Sequence, residues 1–362
     1  MLSHVGADLR VIRERKPQFM GGVIHDPGDA AGPVHEAAAV STGSLPSAEA
    51  VDDALSAAYA RFRGDTSGRV ADYIPALAEA DPRLFGLSVA DVHGSVRQAG
   101  DAGHPFSIQS ISKAFVFALV DQALGHDTVR RRVGVNNTGL PFNSILAIEL
   151  NHGSPMNPMV NAGALATTSL VPGADAAERW DFIQHGLSRF AGRELDLDMR
   201  VYESEAASNQ RNESIARLLD SYERLGWDPI ETTDVYTKQC SLSVTTRDLA
   251  IMGATLADGG VNPLTGDQVV DAAVCRDTLA ALATSGLYER SGDWLYEIGM
   301  PGKSGVSGGI LTVAPGKGGL AAFSPGLDPA GNSVRGQRAT HYLSGALGLN
   351  LFASAPYLRS ED

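Results

Sequence analysis

Residues 111 to 258 read as an almost unbroken succession of helices, and strand-forming stretches stand on both sides of it. AFVFALVDQALGH, FNSILAIEL, NAGALATTSLV, AERWDFIQHGLSRFAG, NESIARLLDSYERLG, VYTKQCS and TTRDLAIMGATLADGG each repeat apolar residues at helical spacing. Upstream, LFGLSVADVHGSVRQAGD predicts two strands around the turn residues His93 and Gly94. Downstream, GGILTVAPG and GGLAAFSPG predict antiparallel strands, and a closing helix is predicted over 340–353. A chain that begins a sheet, leaves it for a long helical stretch and then returns must build that sheet from both of its ends. The expected fold is therefore α+β: an antiparallel sheet drawn from about 84–106 and 296–326 and flanked by helices, with a mostly helical subdomain over 111–258.

Residues 1–45 are rich in Gly, Ala, Pro, Ser and His and hold no sustained period of 2 or 3.6, which predicts a loosely ordered leader. In SLPSAEAVDDALSAAYARF, Ser47 is placed to cap the first firm helix, so the folded domain is expected over 46–362. A formal charge of −13 argues against nucleic acid and anionic lipid as partners. Cys240 and Cys275 are too few for a disulfide framework and fit a reducing compartment. The nine histidines form no metal-ligand spacing, so no metal is expected. No signal-peptide core and no 18-residue apolar run is present, which predicts a cytoplasmic protein without a membrane partner.

Only five lysines occur, and one of them, Lys113, lies three residues after Ser110 in FSIQSISKAFVFALV, where a polar run turns apolar. On a helix beginning near Ser110, these two side chains share a face, with Cβ atoms about 5–6 Å apart. A serine hydroxyl needs a base to become a nucleophile, and Phe115, Phe117 and Leu119 offer apolar surroundings in which a lysine can lose its proton. The helix N-terminus would also turn the Ser110 N–H toward a developing oxyanion. Alone, the motif fits a capping serine and a lysine snorkelling to water better than a catalytic pair. Lys303-Ser304-Gly305, just before a strand, has the form of the K-T-G element that accompanies S-x-x-K in penicillin-recognising enzymes, though the S-D-N element of that set is missing.

The blocks VADYIPALA, PFSIQSISKAF, HGSPMNPMVNAGAL, SEAASNQRN, VYTKQCS, ATLADGGVNPLTG, TSGLY and KSGVSGGIL resemble, in order and wording, the serine-dependent glutaminases, over about residues 50 to 350. The resemblance implies a β-lactamase/transpeptidase-like fold and hydrolysis of L-glutamine to glutamate and ammonia, with no cofactor and as a homodimer or homotetramer. By the same resemblance Ser110 is the nucleophile, and Lys113 and Tyr288 carry its proton. Tyr236 and Tyr73 line the pocket. Asn161, Glu205 and Asn212 hold the amino-acid end of glutamine, and the N–H of Val306 completes the oxyanion hole begun by Ser110. SEAASNQRN departs from relatives in lacking the glycine they often carry before an acid-Arg-Asn end, which puts the shape of that loop in question. The chemistry agrees: free glutamine offers an ammonium, a carboxylate and a carboxamide, so its pocket needs an acid, amide and hydroxyl donors, and a nucleophile. Two other readings stay open at this point: a β-lactamase-type enzyme, and a non-catalytic amino-acid sensor on the same fold. Which of Lys113 and Tyr288 acts as base in each step is also open.

Overall fold

The computed structural model describes residues 43–354, so the expected leader lies almost wholly outside the described residues. Ser47 accepts a hydrogen bond from the Ala50 N–H and starts the helix Ala48–Phe62 as its sequence predicts. The hairpin follows: β1 (Gly86–Asp91) and β2 (Val96–Gly100) pair antiparallel across a turn in which Gly94 takes φ +90°. A two-stranded ladder, β3 (Phe106–Ser107) with β4 (Ser243–Val244), ties the start of the helical stretch to its end. The chain then completes the main sheet with β5 (Gly302–Ser304), β6 (Gly309–Ala314) and β7 (Gly318–Phe323).

The main sheet has the order β2-β1-β7-β6-β5, antiparallel throughout. β1 lies between its hairpin partner and β7, with Gly86 opposite Phe323 and Asp91 opposite Gly318. One face carries the helices Ala48–Phe62 and Val334–Ala346, whose apolar side chains form a core with Leu87, Val89, Ile310 and Leu320. The other face is covered by the helix Thr246–Ala257, which Thr245 and Asp248 begin with a reciprocal capping box. That helix belongs by sequence to the helical stretch but packs on the sheet. Being buried on nearly every side, it has no polar face to mark which neighbour it will meet.

The closing helix runs over Val334–Ala346 rather than 340–353. Ser333 caps it by accepting from the Gly336 N–H, and Gly348 at φ +60° turns the chain away just past its end. Arg335 on this helix is buried, and its guanidinium donates to the Ser324 hydroxyl and to the carbonyls of Arg63, Pro82, Arg83 and Leu84. Replacing it with alanine would strand those carbonyls without donors. Urea unfolding of Arg335→Ala is expected to show a loss of about 2–4 kcal/mol.

Candidate active site

Ser110 stands in a single 3-10 turn, Gln109–Ile111, that runs directly into the helix Ser112–Leu124. The helix thus begins two residues after Ser110. The turn includes Gln109 at φ +52°, a left-handed conformation that is strained for a residue with a long side chain. Lys113 is 1% exposed, so its amine does not snorkel to water. Its Nζ donates to Asn161 Oδ1 at 2.7 Å and to the Met159 carbonyl at 3.3 Å, and it faces the rings of Phe142 and Tyr236 at 5.8 and 5.9 Å. Those two rings are the aromatic surroundings of the amine, while Phe115 packs away on Phe190. No carboxylate pairs with Lys113 among the described residues. Burial accordingly pushes its ammonium down to about 8.

The opposite wall comes from the far end of the chain. Strand β5, the edge of the main sheet, carries Lys303 and Ser304 alongside the Ser110 turn. Tyr288 opens a second 3-10 turn at φ +57°, so two of the four described non-glycine residues in the left-handed region belong to this one site. Its buried hydroxyl donates to the Ser304 carbonyl at 3.2 Å, and its ring tilts against Phe142 at 4.7 Å. Burial, with a contribution from Tyr73, holds its pKa far above the usual tyrosine range, against the pull of hydrogen bonds with Ser110 and Ser304. Two glycines permit the approach. A Cβ on Gly286 would fall 1.8 Å from the Gly302 carbonyl oxygen, and one on Gly305 3.0 Å from that of Ile108. Among the described residues, the N–H groups of Ser110 and Val306 donate to no backbone acceptor outside regular elements.

The third side is polar. Asn161 opens the helix Asn161–Ser169 and donates from Nδ2 to Asn212 Oδ1 at 2.8 Å; Asn212 in turn donates to Asn209 Oδ1 at 2.7 Å. Glu205, half-buried near the end of the helix Met199–Ala206, accepts a hydrogen bond from Gln109 Nε2. Burial pushes the Glu205 carboxyl up to about 7, partly offset by that bond. Tyr236 is buried beside Cys240, and its hydroxyl pKa lies well above the usual value, first because of that burial and then because of Cys240. Tyr73 is 58% exposed at the rim. Protein crowding its hydroxyl, with the carboxylates of Glu205 and Asp72, pushes it up to about 12.

The geometry thus brings Ser110, Lys113, Asn161, Asn212, Glu205, Tyr236 and Tyr288 together, with Val306 beside Tyr288 in a small apolar cluster and Tyr73 at the edge. Sequence reasoning missed Gln109, Phe142 and Asn209. Gln109 adjoins the serine and carries a carboxamide, which was the available signal; Phe142 and Asn209 join only through tertiary packing. Asn161 also partners Lys113 directly, which no spacing predicts.

A serine and a buried lysine without a counter-ion, set beside the edge strand of an antiparallel sheet in a β-lactamase-like α+β fold, define a hydrolase that acts on amides. The sequence profile of the family described as Glutaminase matches residues 68–352. The chain is 56% identical over 318 residues to "Glutaminase 2" of Yersinia pestis, covering 88% of this chain and 94% of that protein. Among solved structures, it resembles a probable glutaminase, ybaS, with a TM-score of 0.84 and 45% identity, over 85% of this chain and all of that one. It also resembles Mglu in its glutamate form, with a TM-score of 0.80 and 41% identity over 84% of this chain and 70% of that one. The chain belongs to the glutaminase family, the enzymes that hydrolyse glutamine. The penicillin-recognising reading gives way to it.

Proposed function

We propose that the chain hydrolyses L-glutamine through a γ-glutamyl ester on Ser110. In acylation Lys113 and Tyr288 take the serine proton, the Ser110 oxygen bonds to the carboxamide carbon, and the carboxamide oxygen becomes an oxyanion held by the N–H groups of Ser110 and Val306. The C–N bond then breaks, the nitrogen takes up the proton and ammonia leaves. Water attacks the ester by the reverse route, returning the proton to Ser110 and releasing glutamate. The observation that carries this reading is a buried Lys113 amine without a carboxylate partner three residues past Ser110, together with a buried Tyr288 whose hydroxyl reaches the Ser304 carbonyl on the edge strand beside that serine. Acid quenching during turnover is expected to trap a γ-glutamyl adduct on the peptide containing Ser110, and an unmodified peptide would count against the ester.

Glu205 is the proposed anchor of the α-ammonium, and Asn161, Asn212, Tyr236 and Tyr73 complete the amino-acid end of the pocket. A charge-assisted hydrogen bond in such a setting is worth about 1.5–3 kcal/mol, so Glu205→Gln is expected to lower kcat/KM for glutamine by about one to two decades. Nα-acetylglutamine lacks the ammonium and should be a poor substrate whose kcat/KM changes far less on the same substitution. An unchanged ratio between the two substrates would remove Glu205 from the pocket. Its carboxyl titrates near 7 and binds a cation only when ionised, so in the wild type KM for glutamine should rise as the pH falls below that value. Placement in the cytoplasm is supported by two free buried cysteines; among the described residues no helix is long and apolar enough to cross a membrane. A homodimer or homotetramer remains part of the proposal, to be read by light scattering.

A further inference from the structure

Lys303 is a second buried amine for which the mechanism above has no use. It is fully buried on the edge strand β5, opposite Leu311, and no carboxylate pairs with it among the described residues. A lysine in such a place costs the fold a desolvated ammonium or an unsatisfied amine, and a protein keeps that cost where the group has a task. Its surroundings identify the task. Nζ lies 4.4 Å from the centroid of the Tyr288 ring, and it donates to the Ser304 carbonyl at 2.8 Å. That carbonyl is the one to which the Tyr288 hydroxyl donates at 3.2 Å. Lysine and tyrosine are therefore joined twice, through the ring face and through a shared acceptor.

We propose that Lys303 is the positioning residue of Tyr288: its amine braces one face of the ring and occupies the Ser304 carbonyl with a shorter bond than the phenol makes. The phenol is thereby held beside Ser110 while its own grip on the carbonyl stays long. The bracing is needed because Tyr288 starts from a left-handed backbone, φ +57°, which L side chains leave readily unless their surroundings hold them. The ring also tilts against Phe142 at 4.7 Å, and even a Cβ added at Gly331 would only just touch its Cε2, at 3.7 Å, so the amine supplies the polar contact that packing alone lacks. Burial and the neighbouring Lys113 both disfavour the charged form of Lys303, which suits an amine that braces a ring without competing for the substrate carboxylate.

The inference rests on the reading of Tyr288 as a proton-transfer group, and the test separates the two. Lys303→Met keeps the length and apolar stem of the side chain and removes the donor. It is expected to lower kcat by about ten- to a hundredfold with KM nearly unchanged, below the loss from Tyr288→Phe. Because the substitution relieves a buried amine, its thermal midpoint should equal or exceed that of the wild type. In a Tyr288→Phe background, adding Lys303→Met should change kcat by less than about threefold, since the braced group is already gone. Wild-type kcat in Tyr288→Phe would overturn the reading of Tyr288. Loss in Tyr288→Phe with wild-type kcat in Lys303→Met would overturn the positioning role alone, as would two effects that multiply in the double variant. Failure of both Lys303→Met and Lys303→Gln to fold would overturn it as well, because the amine would then be serving the fold.

Discussion

Replacing Ser110 with alanine is expected to lower kcat for glutamine by about 10⁴- to 10⁶-fold, and to abolish the acid-stable adduct altogether. The variant keeps the N–H at position 110 and that of Val306, so whatever these proposed oxyanion donors accomplish with bound water should survive as a small residual rate. It has no oxygen to accept the acyl group. Because Ser110 is 7% exposed within a turn whose conformation depends on Gln109, the loss of one hydroxyl leaves the local fold intact. Glutamine affinity, measured by calorimetry on the alanine variant, should therefore persist while ammonia release disappears. A variant that still turns over within tenfold of the wild type would remove Ser110 from the chemistry.

Lys113 should be nearly as costly to lose. Lys113→Met takes away the amine that Asn161 Oδ1 and the Met159 carbonyl hold in place, and a loss of about 10³- to 10⁵-fold in kcat is expected. Groups that move one proton together fail together, so Ser110→Ala with Lys113→Met should be no slower than Ser110→Ala alone. The pH dependence gives a second reading. Burial lowers the folded pKa of the amine to about 8, and the amine acts as base only when neutral. In the wild type, log kcat should climb with pH and level off above about 8, with the limb belonging to the coupled Lys113 and Tyr288 system. That rising limb should vanish from the residual kcat of Lys113→Met. A limb that persists there would assign it to another group.

Much of this site is written in short-range pattern, and the remainder is not. Lys303-Ser304-Gly305 is legible as a motif, though Lys303 and Ser304 lie in the edge strand β5 itself rather than only ahead of a strand. Ser110 with Lys113 is legible because a helical turn fixes the relation of residues close in sequence. The hairpin at Gly94, the cap at Ser47 and the strands β6 and β7 are legible for the same reason. Gln109 and Tyr288 are different: the left-handed backbone they adopt is normally signalled by glycine or asparagine, and here it is imposed on other residues by packing. The contact of Asn161 with Lys113 and that of Lys303 with Tyr288 exist only once separate elements have docked. The closing helix was legible as a helix but six residues late at its start, since SVRGQRA is too polar to display the apolar stripe that Ser333 begins.

The pairing of β1 with β7 has a consequence for the life of the chain before it is an enzyme. Gly86 must wait for Phe323 and Asp91 for Gly318, so the middle of the sheet closes only after the last strand has been synthesised. Contacts so distant along the sequence carry a large loop-closure entropy and make folding slow. The segment holding Ser110 leaves the ribosome long before the one holding Tyr288 and Val306, and a nascent chain therefore carries the proposed nucleophile without the wall proposed to activate it. Glutamine hydrolysis is in this sense withheld until translation is nearly complete, and any fragment ending before β5 should be silent toward glutamine.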